Sequence, residues 1–194
     1  MNGTRVARGL MKMRLAASLI AAAAVLSCFG IGTAVAQEEV PKSGCDAFTW
    51  DVSHELAVLE RPAKQLQAGR DGKSAPRVDL DEHYIVSLTP QEKVKFPAKP
   101  GKPPAAEGAH AGVIAFHAPA PGRYRISTTT GHWVDVVDGR FLVVSRDFQG
   151  QRGCEKVHKI VEFELSGNRD FIVQLSAGAD EKAGLAVTRV RESG

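Results

Sequence analysis

No acidic residue precedes Glu38 in this 194-residue chain. Four basic residues do, Arg5, Arg8, Lys12 and Arg14, and all stand before an apolar run from Leu15 to Ala36. A basic leader, an Ala-rich stretch and the small-x-small triplet Ala34-Val35-Ala36 are the parts of a cleaved secretory signal peptide over residues 1–36. The whole chain carries a formal charge of +3, but the part after Ala36 keeps 21 basic and 22 acidic residues, a net −1. That part has no Lys/Arg cluster, which excludes the electrostatic footprint of a nucleic-acid binder. It also has no second apolar stretch near the ~18 residues a membrane helix requires, so no transmembrane span is expected in the mature chain. About 158 residues remain, enough for one domain with a real core.

Cysteine is scarce. Cys28 falls inside the signal segment, leaving Cys45 and Cys154 in an oxidising compartment, the periplasm or the exterior. A Cys45–Cys154 disulfide is the expectation, and two buried free thiols are the alternative. Cys28 itself, preceded by Val25-Leu26-Ser27, offers a second route out of the signal segment as a lipid anchor, in which case the mature chain would begin there on a flexible tether.

Other absences narrow the chemistry. The six histidines, His54, His83, His110, His117, His132 and His158, form no HxH, HxxH or HExxH pattern, so no metal ligand set is assigned. His110 and His117 flank one predicted strand and stand about 20 Å apart if extended, too far to share a metal. Asp79, Asp81 and Glu82 beside His83 have the oxygen chemistry for Ca²⁺ but lack the glycine and spacing of an EF-hand, and a solvated strand start is the simpler reading. Ser127, Ser145 and Ser166 lie in ordinary strand or turn contexts with no GxSxG elbow, and no Gly-rich phosphate loop follows a strand. No motif calls for a cofactor. Outside the signal segment the tryptophans and tyrosines number four, Trp50, Tyr84, Tyr124 and Trp133, so a sugar-stacking platform would rest on Trp133.

What is present is β-pattern. Residues 37–44 read as a loose polar N-terminus and 45–194 as a single domain. Phe48, Val52, Leu56 and Leu59 fit one face of a short helix with Asp51 or Ser53 as N-cap, although Phe48, Trp50 and Val52 also alternate as a strand would. Arg61 to Arg77 reads as loop. His83–Leu88 and Lys93–Phe96 read as strands around a Thr89-Pro90 turn, and Pro97 to Gly108 reads as a surface loop, since its prolines cannot sit in a central strand. Further strands are predicted at Gly112–His117, Arg123–Thr128, Trp133–Val137, Arg140–Ser145, Lys156–Leu165, Asp170–Leu175 and Leu185–Val190. Seven to nine short strands with regular turn signals predict an antiparallel β-sandwich or jelly roll.

Asp138-Gly139 is the strongest local signal, a two-residue hairpin turn. Centred there, it pairs Val137 with Arg140, Val136 with Phe141 and Asp135 with Leu142. One face, Val134, Val136, Phe141 and Val143, reads as core. The other carries Trp133, Asp135, Val137, Arg140, Leu142 and Val144, half apolar where a solvated face should be polar. Either another element covers it, such as the N-terminal helix drawn in by the disulfide, or Trp133, Asp135, Arg140 and Leu142 form a binding surface for an envelope protein or a glycan.

Cys45-Asp46-x-Phe48-x-Trp50, Trp133-Val134-Asp135-Val136-Val137, Phe148-x-Gly150-x-x-Gly153-Cys154, Lys159-x-Val161-x-Phe163-x-Leu165 and Gln174-Leu175-Ser176 together resemble a family of small secreted bacterial proteins of unknown function. The C-terminal half is also similar in pattern to the pre-peptidase C-terminal domain. That resemblance implies a noncatalytic β-sandwich accessory module of secreted proteins. Some chains of the small family carry a homogentisate dioxygenase label, which implies a metal-dependent jelly-roll enzyme. Such dioxygenases are longer cupins with an iron site of two His and one Glu, and with no matching motif here, no catalytic residue is assigned. The function expected is therefore noncatalytic binding, with the metal enzyme and a purely structural envelope protein as alternatives.

Overall fold

Alternating apolar and polar positions become two stacked sheets in a computed structural model that describes residues 43–103 and 107–191, all within one compact unit. The signal segment, its cleavage site, Cys28 and most of the polar N-terminus lie outside the described residues. The strands are β1 Lys64–Gln67, β2 Arg77–Val78, β3 Tyr84–Ser87, β4 Thr89–Pro90, β5 His110–Ala118, β6 Gly122–Thr128, β7 Trp133–Asp138, β8 Phe141–Val143, β9 Ser145–Gly150, β10 Lys159–Leu165, β11 Arg169–Gly178 and β12 Lys182–Arg189. One sheet runs β1-β3-β12-β6-β10-β9; the second runs β2-β5-β11-β7-β8, with β4 also paired to β5. The expected β-sandwich is correct. Both sheets are mixed, because β1 lies parallel to β3 and β2 parallel to β5.

Between the sheets lies the main core. Ile114 and Phe116 of β5, Phe171, Val173 and Leu175 of β11, and Val134 and Val136 of β7 meet Tyr124, Ile126, Phe163, Leu185 and Val187 from the opposite sheet. Phe116 sits 5.8 Å from Phe171 and 6.2 Å from Tyr124, ring centre to ring centre. The Tyr124 hydroxyl donates to the Ala120 carbonyl at 2.7 Å, so this buried polar tip is satisfied.

The outer face of the first sheet is covered by the N-terminal segment, a 3₁₀ turn at Gly44–Ala47 and the helix α1, Ser53–Leu59. Seven residues are too few for an isolated helix, so packing holds it. Phe48, Val52, Val58 and Leu59 bury against Val157, Ile160 and Ala186 beside the Cys45–Cys154 disulfide. Val52 occupies the cap position, while Asp51 Oδ1 accepts the Ser53 N–H at 3.0 Å. Strand register also plants a charged anchor beneath the helix. Glu162, Arg125 and Thr188 stand in one row across β10, β6 and β12. Arg125 Nε donates to Glu162 at 3.0 Å, its Nη1 reaches both Glu55 oxygens at 3.4 Å and the Asp51 carbonyl at 2.9 Å, and Thr188 Oγ1 donates to Glu55 at 2.9 Å.

Several expectations are corrected. Arg61 to Arg77 is not all loop: β1 forms within it by backbone pairing at the sheet edge, where its mostly exposed side chains leave no periodic signal. Lys93–Phe96 is not a strand; Gln91–Lys93 is a 3₁₀ turn, after which Val94 and Phe96 pack beside Ala111, Val113 and Ile172 on the outer face of the second sheet. Thr89-Pro90 is not a turn between strands but pairs with Ala111 and His110. Arg140–Ser145 is not one strand. The chain breaks at Val144, so that β8 closes one sheet and β9 opens the edge of the other.

The hairpin register is shifted by two residues: Asp138 pairs with Phe141, Val137 with Leu142 and Val136 with Val143. Gly139, at φ +64, takes the first central position and Arg140 the second, the placement a type II′ turn requires, so Asp138 stays in the strand. A shift of two preserves the faces. Phe141 nonetheless leaves the core and is 80% exposed, because its place at the hairpin tip has no opposite sheet above it.

Candidate binding surface

Trp133 opens β7 on the outer face of the second sheet, where strand register places it opposite Ser176 and places Asp135 opposite Gln174. The cover over this row is not the N-terminal helix, which lies on the other sheet, but the proline-rich segment. The Ala98 N–H donates to Gln174 Oε1 at 2.9 Å and the Gly101 N–H to Asp135 Oδ2 at 3.0 Å. Asp135 Oδ1 accepts the Trp133 indole N–H at 2.9 Å. Both carboxylate oxygens are thus used, and the indole ring is locked in orientation while Trp133 stays 37% exposed.

Two ammonium groups converge on that ring. Lys102 Nζ is 5.9 Å from its centre and Lys159 Nζ 5.7 Å. Lys159 also donates to the His132 carbonyl. Burial, then the charge of Lys102, pulls the Lys159 ammonium below the usual lysine value, while Asp135 acts in the opposite sense.

On the strand beside Trp133 the β11 ladder to β5 bulges between Leu175 and Gly178, and Ala177 takes a left-handed φ of 53°. The Ala177 N–H is satisfied by Gln91 Oε1 at 2.7 Å. His132 is fully buried against Gly178, where an added Cβ would lie 2.3 Å from the imidazole Cδ2. Its Nδ1 is 2.7 Å from Thr130 Oγ1.

Of the four residues expected to form a surface, the structure joins Trp133 and Asp135, but Asp135 is buried as a support and not presented. Leu142, 37% exposed, faces outward opposite Val137. Arg140 sits in the hairpin turn, about 17 Å or more along β7 from Trp133, and lines a hollow with Phe141 and Arg169. Sequence reasoning missed Gly101, Lys102 and Lys159. The glycine and lysine lie in a segment readable only as loop, and Lys159 belongs to a strand of the other sheet.

The histidines disperse. His54 lies 2.7 Å from Asp81, His117 2.8 Å from Asp170, and His83 Nδ1 2.9 Å from the Arg61 carbonyl. Asp81 turns to His54, while Asp79 and Glu82 both face the Lys64 ammonium, at 4.0 and 3.2 Å. Among the described residues no group of three or more His, Cys, Asp or Glu is placed to hold a metal ion.

No protein-family model matches the sequence, and no curated protein matches it. Among solved structures, a β-glucosidase from Kluyveromyces marxianus superposes with a TM-score of 0.31 and 11% identity. The match covers 43% of this chain and 11% of that one.

Proposed function

We propose that the protein is a noncatalytic binding module of the cell envelope, exported to the periplasm or beyond, that engages a protein or glycan partner through the surface of β7, β8 and β9. One observation carries this reading. The exposed large hydrophobic side chains of the described residues, Trp133, Phe141, Leu142, Val144 and Phe148, all fall in one stretch of the chain. Exposed large apolar side chains concentrated in one hairpin and the strand after it suit an interaction surface, and they lie on or beside an outer strand of each sheet, β8 and β9. The Cys45–Cys154 bridge supports an oxidising compartment.

Capture from envelope extract tests the reading. Trp133→Ala and the pair Leu142→Ser with Phe148→Ser should keep the native circular dichroism and lose the partner that the wild-type protein retains. Folded variants that still capture it would overturn the assignment of this surface.

A further inference from the structure

We propose that the Trp133 end of this surface is a subsite for an acidic sugar, its ring seated on the indole and its carboxylate held between Lys102 and Lys159. This deepens the proposed function by naming the class of partner, a uronate-bearing glycan.

Charge is the first ground. Two like charges within 6 Å of one ring centre repel each other. Among the described residues neither ammonium is ion-paired with a carboxylate: Lys159 donates to an uncharged carbonyl, and Lys102 has only the ring. The Asp135 carboxylate offsets part of the repulsion at Lys159, but its oxygens are held by the indole N–H and the Gly101 N–H and form no ion pair with either lysine. A half-buried ammonium with no carboxylate in ion-pair contact is costly, and an incoming carboxylate would relieve both the desolvation and the repulsion.

Shape is the second. The indole is fixed before any ligand arrives, so stacking costs little ordering entropy. Gly101 belongs to the fit, since a Cβ there would meet Asp135 Oδ1 and Trp133 Nε1, each at 3.0 Å. Beside the ring, Gln91, Phe96, Lys99, Lys102 and two prolines line a hollow of about 470 Å³, enough for a second sugar unit, with Lys99 adding a third cation. A flat aromatic platform with two ammonium groups within 6 Å of its centre suits an acidic pyranose better than an acidic peptide, which needs no platform.

The test is calorimetric titration of the folded protein with a galacturonate trimer, a neutral glucose trimer and a glutamate trimer. The acidic sugar should bind in low salt, and the neutral sugar and the peptide should bind about tenfold or more weakly. Trp133→Ala and Lys102→Met should each weaken the acidic sugar by about tenfold, and Lys159→Arg should retain more affinity than Lys159→Met. Lys102 is exposed, so its replacement is not expected to disturb folding. Equal binding of the neutral sugar, equal binding of the peptide, absence of acidic-sugar binding, or affinity untouched by Lys102→Met would each overturn the proposal. If the trimer fails to bind while envelope capture still depends on Trp133, the uronate subsite falls and the binding surface stands.

Discussion

Removing the disulfide is the sharpest test of how the N-terminal segment is held. Cys45 and Cys154 are 109 residues apart in sequence. Closing a loop of that length removes unfolded-state entropy worth about 4.8 kcal/mol at 25 °C. The native site accepts the bridge without steric conflict: Gly44, at φ +61, lies against Gly153, and neither carries a side chain to hold the two backbones apart. The bridge joins the 3₁₀ turn to the segment before β10, so its loss also loosens the cover formed by Phe48, Val52 and Val58 over Ile160. The variant Cys45→Ser with Cys154→Ser should therefore melt roughly 10–20 °C below wild type, taking about 2–4 °C per kcal/mol for a domain of this size. Thermal unfolding followed by circular dichroism measures the shift, and alkylation with mass spectrometry establishes the oxidation state of the wild type. A bridged wild type with a shift under about 3 °C would refute the loop-entropy reasoning. Two free thiols would refute the bridge.

Arg125→Met leaves Glu55 buried without its cation, whereas Glu162 keeps Arg123 and Arg146, each at 3.7 Å, and denaturant unfolding should show a loss of about 3 kcal/mol; Glu55→Gln added to that variant should recover part of it, and a single-variant loss under about 1 kcal/mol would contradict the anchor. His132 gives a pH dependence. Burial pushes its imidazole below the ordinary value, with Lys159 and His110 acting the same way and Asp180 against. Between its lowered native value and about 6.5 in the unfolded chain, the unfolded state binds more protons. This contribution is fully present above about 6.5 and is lost as pH falls below it, so melting temperatures should drop from pH 8 to pH 5, with a smaller drop in His132→Gln.

Much of the sandwich was legible because the apolar residues facing the opposite sheet recur at every second position in β5, β6, β10, β11 and β12. The helix could be read from Phe48, Val52, Leu56 and Leu59, and the disulfide from an inventory of two cysteines outside the signal segment. Edge elements were not legible in the same way. Lys64–Gln67 and Ser145–Gly150 are held by backbone bonds with exposed side chains, so no apolar rhythm announces them. The hairpin shows the limit most clearly. Alternation assigned its two faces correctly, because a slip of two residues leaves parity unchanged, yet the slip carried Phe141 past the end of the opposing sheet.

The sequence by itself determined the class of fold and the pairing of Cys45 with Cys154, since composition, count and alternation are local properties. Tertiary structure alone decided what surrounds Trp133. Asp135, two residues away along the strand, turned out to be its buried support, while Lys102 and Lys159 came to it from a loop and from the other sheet. Contacts between residues distant in sequence depend on how the sheets stack and where the loop crosses them, and alternation along one strand holds no record of either.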